Sequence, residues 1–227
     1  MTKADVDDLP DATLSECDGV RYLHLGSIWV QGAMRIRKPR SIELEYVQRM
    51  LVWLLLRPEA GVDDDSAWDG VRALQYGLGA ASITRFCLGL GMTTSVVEIN
   101  PSVVDACRLW FALPADGPRL AVIEGDAAEH ARDPRHAGSV DVLCVDLYDH
   151  DAAAPVLDSA AFYRDCAALL APAGVMTVNR FGRDAQFAQS AARIADAFPS
   201  GAVMSLRPTR EGNTIVIALR DAGWPAP

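Results

Sequence analysis

Long hydrophobic runs are missing from this chain: the longest, "MLVWLLL" from Met50, is seven residues. A bilayer span needs roughly 20 apolar residues, so no membrane helix is expected. The opening "MTKADVDDLP" lacks the basic-then-apolar order of a secretory signal. Cysteine is sparse and odd in number (Cys17, Cys87, Cys107, Cys144 and Cys166), with no C-x-x-C pair. That excludes a disulfide framework or a cysteine zinc site and points to reduced thiols in the cytoplasm. Positive charge is in deficit: 21 Lys and Arg face 30 Asp and Glu, a net charge of -9. With no basic stripe, nucleic acid is excluded as a partner, whereas a small cation would be attracted. His24, His130, His136 and His150 have no ligand spacing, so no metal is expected. Ser82 is not in a G-x-S-x-G elbow, which argues against a hydrolase.

What is present is a regular alternation. With 227 residues, half of them hydrophobic, the chain can bury the core of one α/β domain. Residues 1–60 read as an acidic tail of about twelve residues, a β-hairpin or two within Arg21–Ile36, and a helix capped by Ser41 that runs to about Leu56. Residues 61–227 read as the main domain. Five β–α units begin at "VRALQYG", "TSVVEIN", "RLAVIEG", "VDVLCVDLYD" and "GVMTVNRF", and the strands "AVMSLRP" and "NTIVIALR" close the chain. Near-continuous Val, Ile and Leu strands between helices mean a parallel sheet covered on both faces. The closing strand pair implies an antiparallel edge, hence a seven-stranded, methyltransferase-like Rossmann sheet.

In such sheets a ligand sits beyond the carboxyl ends of the strands. The first of these ends carries Gly77-Leu78-Gly79, and the second, about twenty residues on, carries Glu98, suited to ribose hydroxyls. The third carries Asp126, able to accept from an adenine amino group, and the fourth carries Asp146 and Asp149. Each has an ordinary alternative: loop packing, a solvated strand end, a helix N-cap, a turn. Together they read as a nucleoside site with a reaction-centre acid.

The segments "VVEINPSVVDACRLWF", "EGDAAEHARD", "VDVLCVDLYD", "FYRDCAALLAPAGVMTVN" and "PTREGNTIVIAL" follow one another as in the polyamine aminopropyltransferases, the spermidine synthases. The chain resembles their shorter branch, whose first loop reads G-L-G-x-x-S, from Ala73 to about Asp221. Upstream, "SIWVQGAMRI" and "ELEYVQRM" look like the family's hairpin and following helix. The resemblance implies an aminopropyl donor, decarboxylated S-adenosylmethionine, and a small-molecule amine acceptor, with no metal and no permanently bound cofactor. It places Gly77 and Gly79 beside the donor, Glu98 on the ribose, Asp126 and Ala127 on the adenine, and Asp146 as the acid that helps deprotonate the amine. Asp149 matches an acid that holds an amine, Gln31 a donor contact, and Tyr46 and Tyr148 the substrate side. Three departures stand out: Ala81 for the loop's third glycine, Leu147-Tyr148 between the paired acids, and Arg210 for a tyrosine. The alternatives are an S-adenosylmethionine methyltransferase, a nucleoside-binding homologue without transfer activity and, more remotely, a nicotinamide dehydrogenase. The apolar helix after Ser41 raises the expectation of a homodimer.

Overall fold

The computed structural model describes residues 9–57, 59, 64, 66–147, 157–181, 185–199 and 202–220. Tyr148, Asp149 and His150 therefore lie outside the described residues. Three short antiparallel strands come first: β1 (Ala12–Cys17), β2 (Val20–Leu25) and β3 (Val30–Arg35), paired in that order. β1 was hidden in the sequence because nearly all of it is exposed, leaving no apolar alternation to read.

Helix α1 (Glu45–Met50) continues as a 3-10 turn over Leu51–Leu55. This corrects the expected single helix from Ser41 to Leu56. Its N-cap is Leu44, with no side-chain cap, and Ser41 plays no part in capping. Leu51 and Trp53 are both buried. Two positions apart they would diverge by about 160° on an α-helix and by about 120° on the tighter turn, which lets both face inward.

The remaining strands are β4 (Arg72–Tyr76), β5 (Thr93–Glu98), β6 (Leu120–Glu124), β7 (Val140–Val145), β8 (Leu170–Phe181), β9 (Val203–Ser205) and β10 (Asn213–Leu219). They form one seven-stranded sheet in the order β6-β5-β4-β7-β8-β10-β9. The first five pair in parallel, and β10 runs antiparallel to both β8 and β9. The connecting helices are α2 (Ser82–Gly89), α3 (Pro101–Trp110), α4 (Ala127–Arg132), α5 (Ala160–Leu169) and α6 (Ala185–Ala197). α5 stops at Leu169 because Leu170 already pairs with Val140, so the strand takes residues that helical spacing assigned to the helix.

Period-two alternation sorts the sheet's side chains. Leu74, Tyr76, Leu143, Val145, Met176 and Val178 pack against α4, α5 and α6. Ala73, Val142, Val175, Ile215 and Ile217 pack against Val47, Met50, Leu51 and Trp53. The apolar face of α1 is thus covered by the chain's own sheet, which removes the ground on which a dimer was expected. A third cluster joins Leu23 and Met34 of the N-terminal sheet to Leu78, Ala80, Ala81, Val96 and Val103. Residues before and after position 60 therefore share cores. No helix among the described residues is long and apolar enough to cross a membrane.

Candidate active site

The chain runs β4 to β5 to β6 outward in one direction and then jumps to β7 and β8 on the other side of β4. The switch point lies between the carboxyl ends of β4 and β7, and there the structure opens a small cleft. Gln31, Tyr46, Gln75, Gly79, Ser82 and Asp146 all line it.

Three glycines make the close approaches that form its walls. Gly77, at φ +82°, sits so near the carbonyl oxygen of Asp146 that a Cβ there would collide with it. Gly79, at φ +50°, faces the carbonyl of Gln31, and its missing Cβ would lie 3.3 Å away. Gly32 on β3 lies against Ala80, where a Cβ would stand 2.5 Å from the backbone nitrogen and 2.6 Å from the Cβ. The N-terminal sheet is therefore laid directly on the loop. Ala81, which replaces the third glycine, adopts φ +56°, a left-handed conformation that favours glycine.

Glu98 is buried and braces this loop. Its Oε2 accepts from the Leu78 amide at 2.7 Å and its Oε1 from the Asn100 amide at 2.9 Å. Burial raises its pKa, and these donated hydrogen bonds work against the rise. Gln75, 3 % exposed in the middle of the sheet, braces the loop from below. Its Nε2 donates to the Gly77 carbonyl at 2.6 Å, and its Oε1 accepts from Thr84 at 2.7 Å.

Asp146 sits just past β7, on the cleft side of the sheet. Its Oδ1 accepts from Asn179 Nδ2 at 2.8 Å, and the Tyr46 hydroxyl donates to the same carboxylate. Burial raises the Asp146 pKa, and both hydrogen bonds pull it back. Tyr46 is itself pushed up, by burial first and then by the Asp146 charge. Among the described residues lining the cleft there is no lysine or arginine. The electrostatics therefore favour a cationic ligand.

The structure thus brings Gln31, Tyr46, Gly77, Gly79, Glu98 and Asp146 around one loop. Asp126 and Ala127 stand apart from the cleft. Asp126 caps α4, its Oδ1 accepting from the Ala128 amide at 2.7 Å, while Ala127 is buried at the helix start. Arg210 is exposed on the β9–β10 turn, with buried Thr209 beside it. His130 is tied to the core, its Nδ1 pairing with the buried Tyr76 hydroxyl at 2.9 Å. Sequence reasoning missed Gln75, Asn179 and Asn213. Each was marked by a polar side chain in register with core-facing neighbours on an otherwise apolar strand.

A seven-stranded sheet of this order, with its antiparallel β10 and a glycine loop at the switch point, is that of the methyltransferase-like transferases. A probable spermidine synthase from Corynebacterium glutamicum superposes on 92% of this chain and 76% of its own, with a TM-score of 0.72 and 21% identity. Human methyltransferase-like protein 13, solved with SAH, shares the fold at a TM-score of 0.66 over 77% of this chain and 82% of its own, with 23% identity. No protein-family model matches the sequence. A polyamine aminopropyltransferase from Chromobacterium violaceum is 32% identical over 219 residues, covering 96% of this chain and 79% of its own. The chain belongs to the polyamine aminopropyltransferase family and is a transferase.

Proposed function

We propose that this enzyme transfers an aminopropyl group from decarboxylated S-adenosylmethionine to a small amine, with Asp146 as the base. The observation that carries this reading is the cleft, with no lysine or arginine among its described lining residues, in which Tyr46 and Asn179 hold a buried carboxylate beside the glycine loop. A sulfonium is already a good leaving group, so the reaction needs positioning and a neutral nucleophile. An alkylamine, with a pKa near 10, is about one part in a thousand neutral at pH 7. Asp146 binds the ammonium and takes its proton. The nitrogen lone pair then forms a C–N bond to the methylene carbon next to sulfur. The C–S bond breaks, its electrons stay on sulfur, and methylthioadenosine leaves.

In this reading Gly77 and Gly79 let the donor approach the backbone. Glu98 takes the ribose, Asp126 with Ala127 the adenine, and Gln31 the aminopropyl end. Tyr46 faces the acceptor, joined there by Tyr148 and Asp149. In this reading the cleft takes the aminopropyl end, with the nucleoside extending along the loop towards Asp126. The protein acts in the cytoplasm on this reading.

Thermal unfolding with methylthioadenosine, S-adenosylmethionine and its decarboxylated form, followed by mass detection of the alkylated amine, tests the proposal. The decarboxylated donor should stabilise more than the carboxylated one, and only it should yield product. Methylation of the amine by S-adenosylmethionine instead would establish the methyltransferase reading, and binding without turnover the inactive one.

A further inference from the structure

We infer that Asn213 and Asn179 form an amide relay that orients Asp146 and keeps it ionised, making both asparagines positioning residues. The inference rests on Asp146 being the base of the transfer proposed above. The geometry follows from strand parity. Asn179 on β8 shares the face of Val175 and Thr177, and Asn213 on β10 shares the face of Ile215 and Ile217. Asn179 pairs with Ile215, and Asn213 with Phe181, which places the two asparagines diagonally opposite on the cleft side. Arg180, one residue on, points to the other face and meets Asp158.

The chain of donors has one polarity. Asn213 Nδ2 donates to Asn179 Oδ1 at 3.1 Å, and Asn179 Nδ2 donates to Asp146 Oδ1 at 2.8 Å. Turning the Asn179 amide over would set its oxygen against the carboxylate and its NH₂ against that of Asn213. Asn213 therefore locks Asn179 as a donor. Asn213 is itself held at the start of β10, where its backbone nitrogen donates to buried Thr209 Oγ1 at 3.2 Å. One carboxylate oxygen is thereby occupied by a neutral donor, and lone pairs remain for an ammonium. Among the described residues, the other ionisable groups acting on Asp146 are Tyr46 from α1, Glu98 from β5 and Cys144 from β7. Tyr46 and Cys144 stay neutral through the working range, since burial pushes both upward. Glu98 hydrogen-bonds the Leu78 and Asn100 amides and neither relay asparagine.

The test uses Asn179→Ala, Asn213→Ala and the near-isosteric Asn213→Asp. Two readouts are followed: the pH dependence of kcat/KM for the amine, and the Asp146 carboxyl titration by carbon NMR, assigned with Asp146→Asn. Each relay variant should move the acidic limb and the NMR midpoint upward, by about one pH unit for Asn179→Ala, as expected on losing a hydrogen bond to a charge. kcat near pH 7 should fall about tenfold, while methylthioadenosine affinity by calorimetry stays within about twofold. Asn213→Asp cannot donate to Asn179 and adds a negative charge as well, so both readouts should move upward by more than in Asn213→Ala even if its melting temperature is unchanged. An Asp146 midpoint identical to wild type in Asn179→Ala and Asn213→Asp would overturn the relay. If the wild type moves no aminopropyl group, the function above fails on its own, and the NMR midpoints still decide the relay.

Discussion

Asp146 is a buried acid of the cleft, and its ionisation works against the fold. Its pKa in the folded state is raised by burial above the ordinary carboxylate value. The folded state therefore binds the proton more tightly than the unfolded chain. Stability should rise as pH falls from the raised value towards about 4, the reverse of a salt-bridged aspartate. Asp146→Asn removes that charge without changing shape. It should abolish transfer while melting at or above the wild-type temperature at pH 7. The difference should shrink on acidification, as followed by scanning calorimetry. Glu98 behaves differently, because two backbone amides depend on it. Glu98→Ala should cost about 2 kcal/mol of stability through those orphaned donors and weaken methylthioadenosine binding as well. Chemical denaturation and titration calorimetry measure the two losses separately. A loss of stability alone would make Glu98 a strut for the loop and remove it from the ribose.

Elements meet here backbone to backbone, and the meeting points are glycines. β3 touches the β4–α2 loop at Gly32, and that loop touches the end of β7 at Gly77. Further ties carry the N-terminal sheet on the main domain: Ser82 Oγ donates to the Ala33 carbonyl at 3.1 Å, and the Ala12 amide to Ser102 Oγ at 2.8 Å. Gly32→Ala should push β3 off the loop. The expected result is a donor KM raised by about tenfold or more, with a stability loss of about 1–3 kcal/mol. Steady-state kinetics with a melting curve check both, and an unchanged KM would show that β3 does not shape the donor site.

For the molecule as a whole, topology decides where the cleft lies and net charge decides what approaches it. A charge of -9 around a cleft with no lysine or arginine among its described lining residues draws cations in. On the proposed reaction both substrates are cationic, so kcat/KM for the amine should fall severalfold between about 20 mM and 500 mM salt, as screening shortens the field. Methylthioadenosine, which is neutral, should bind equally well at both. Rates independent of salt would mean that the field plays no part in capture.

Much of this was legible in the chain, because strand and helix periodicity is a local property. The five parallel strands, the closing antiparallel pair and the Gly77–Gly79 loop were all read correctly. What stayed hidden depends on distance across the fold. β1 carries too few buried residues to signal itself, and the turn at Leu51–Leu55 is set by what Leu51 and Trp53 must reach. Gln75, Asn179 and Asn213 become site residues only when β4, β8 and β10 lie in one sheet with a shared face. The sequence by itself determined the order of elements and which acids stand at strand ends. The tertiary structure alone decided which of those acids meet: strand order carried Asp146 to the glycine loop and left Asp126 outside the cleft.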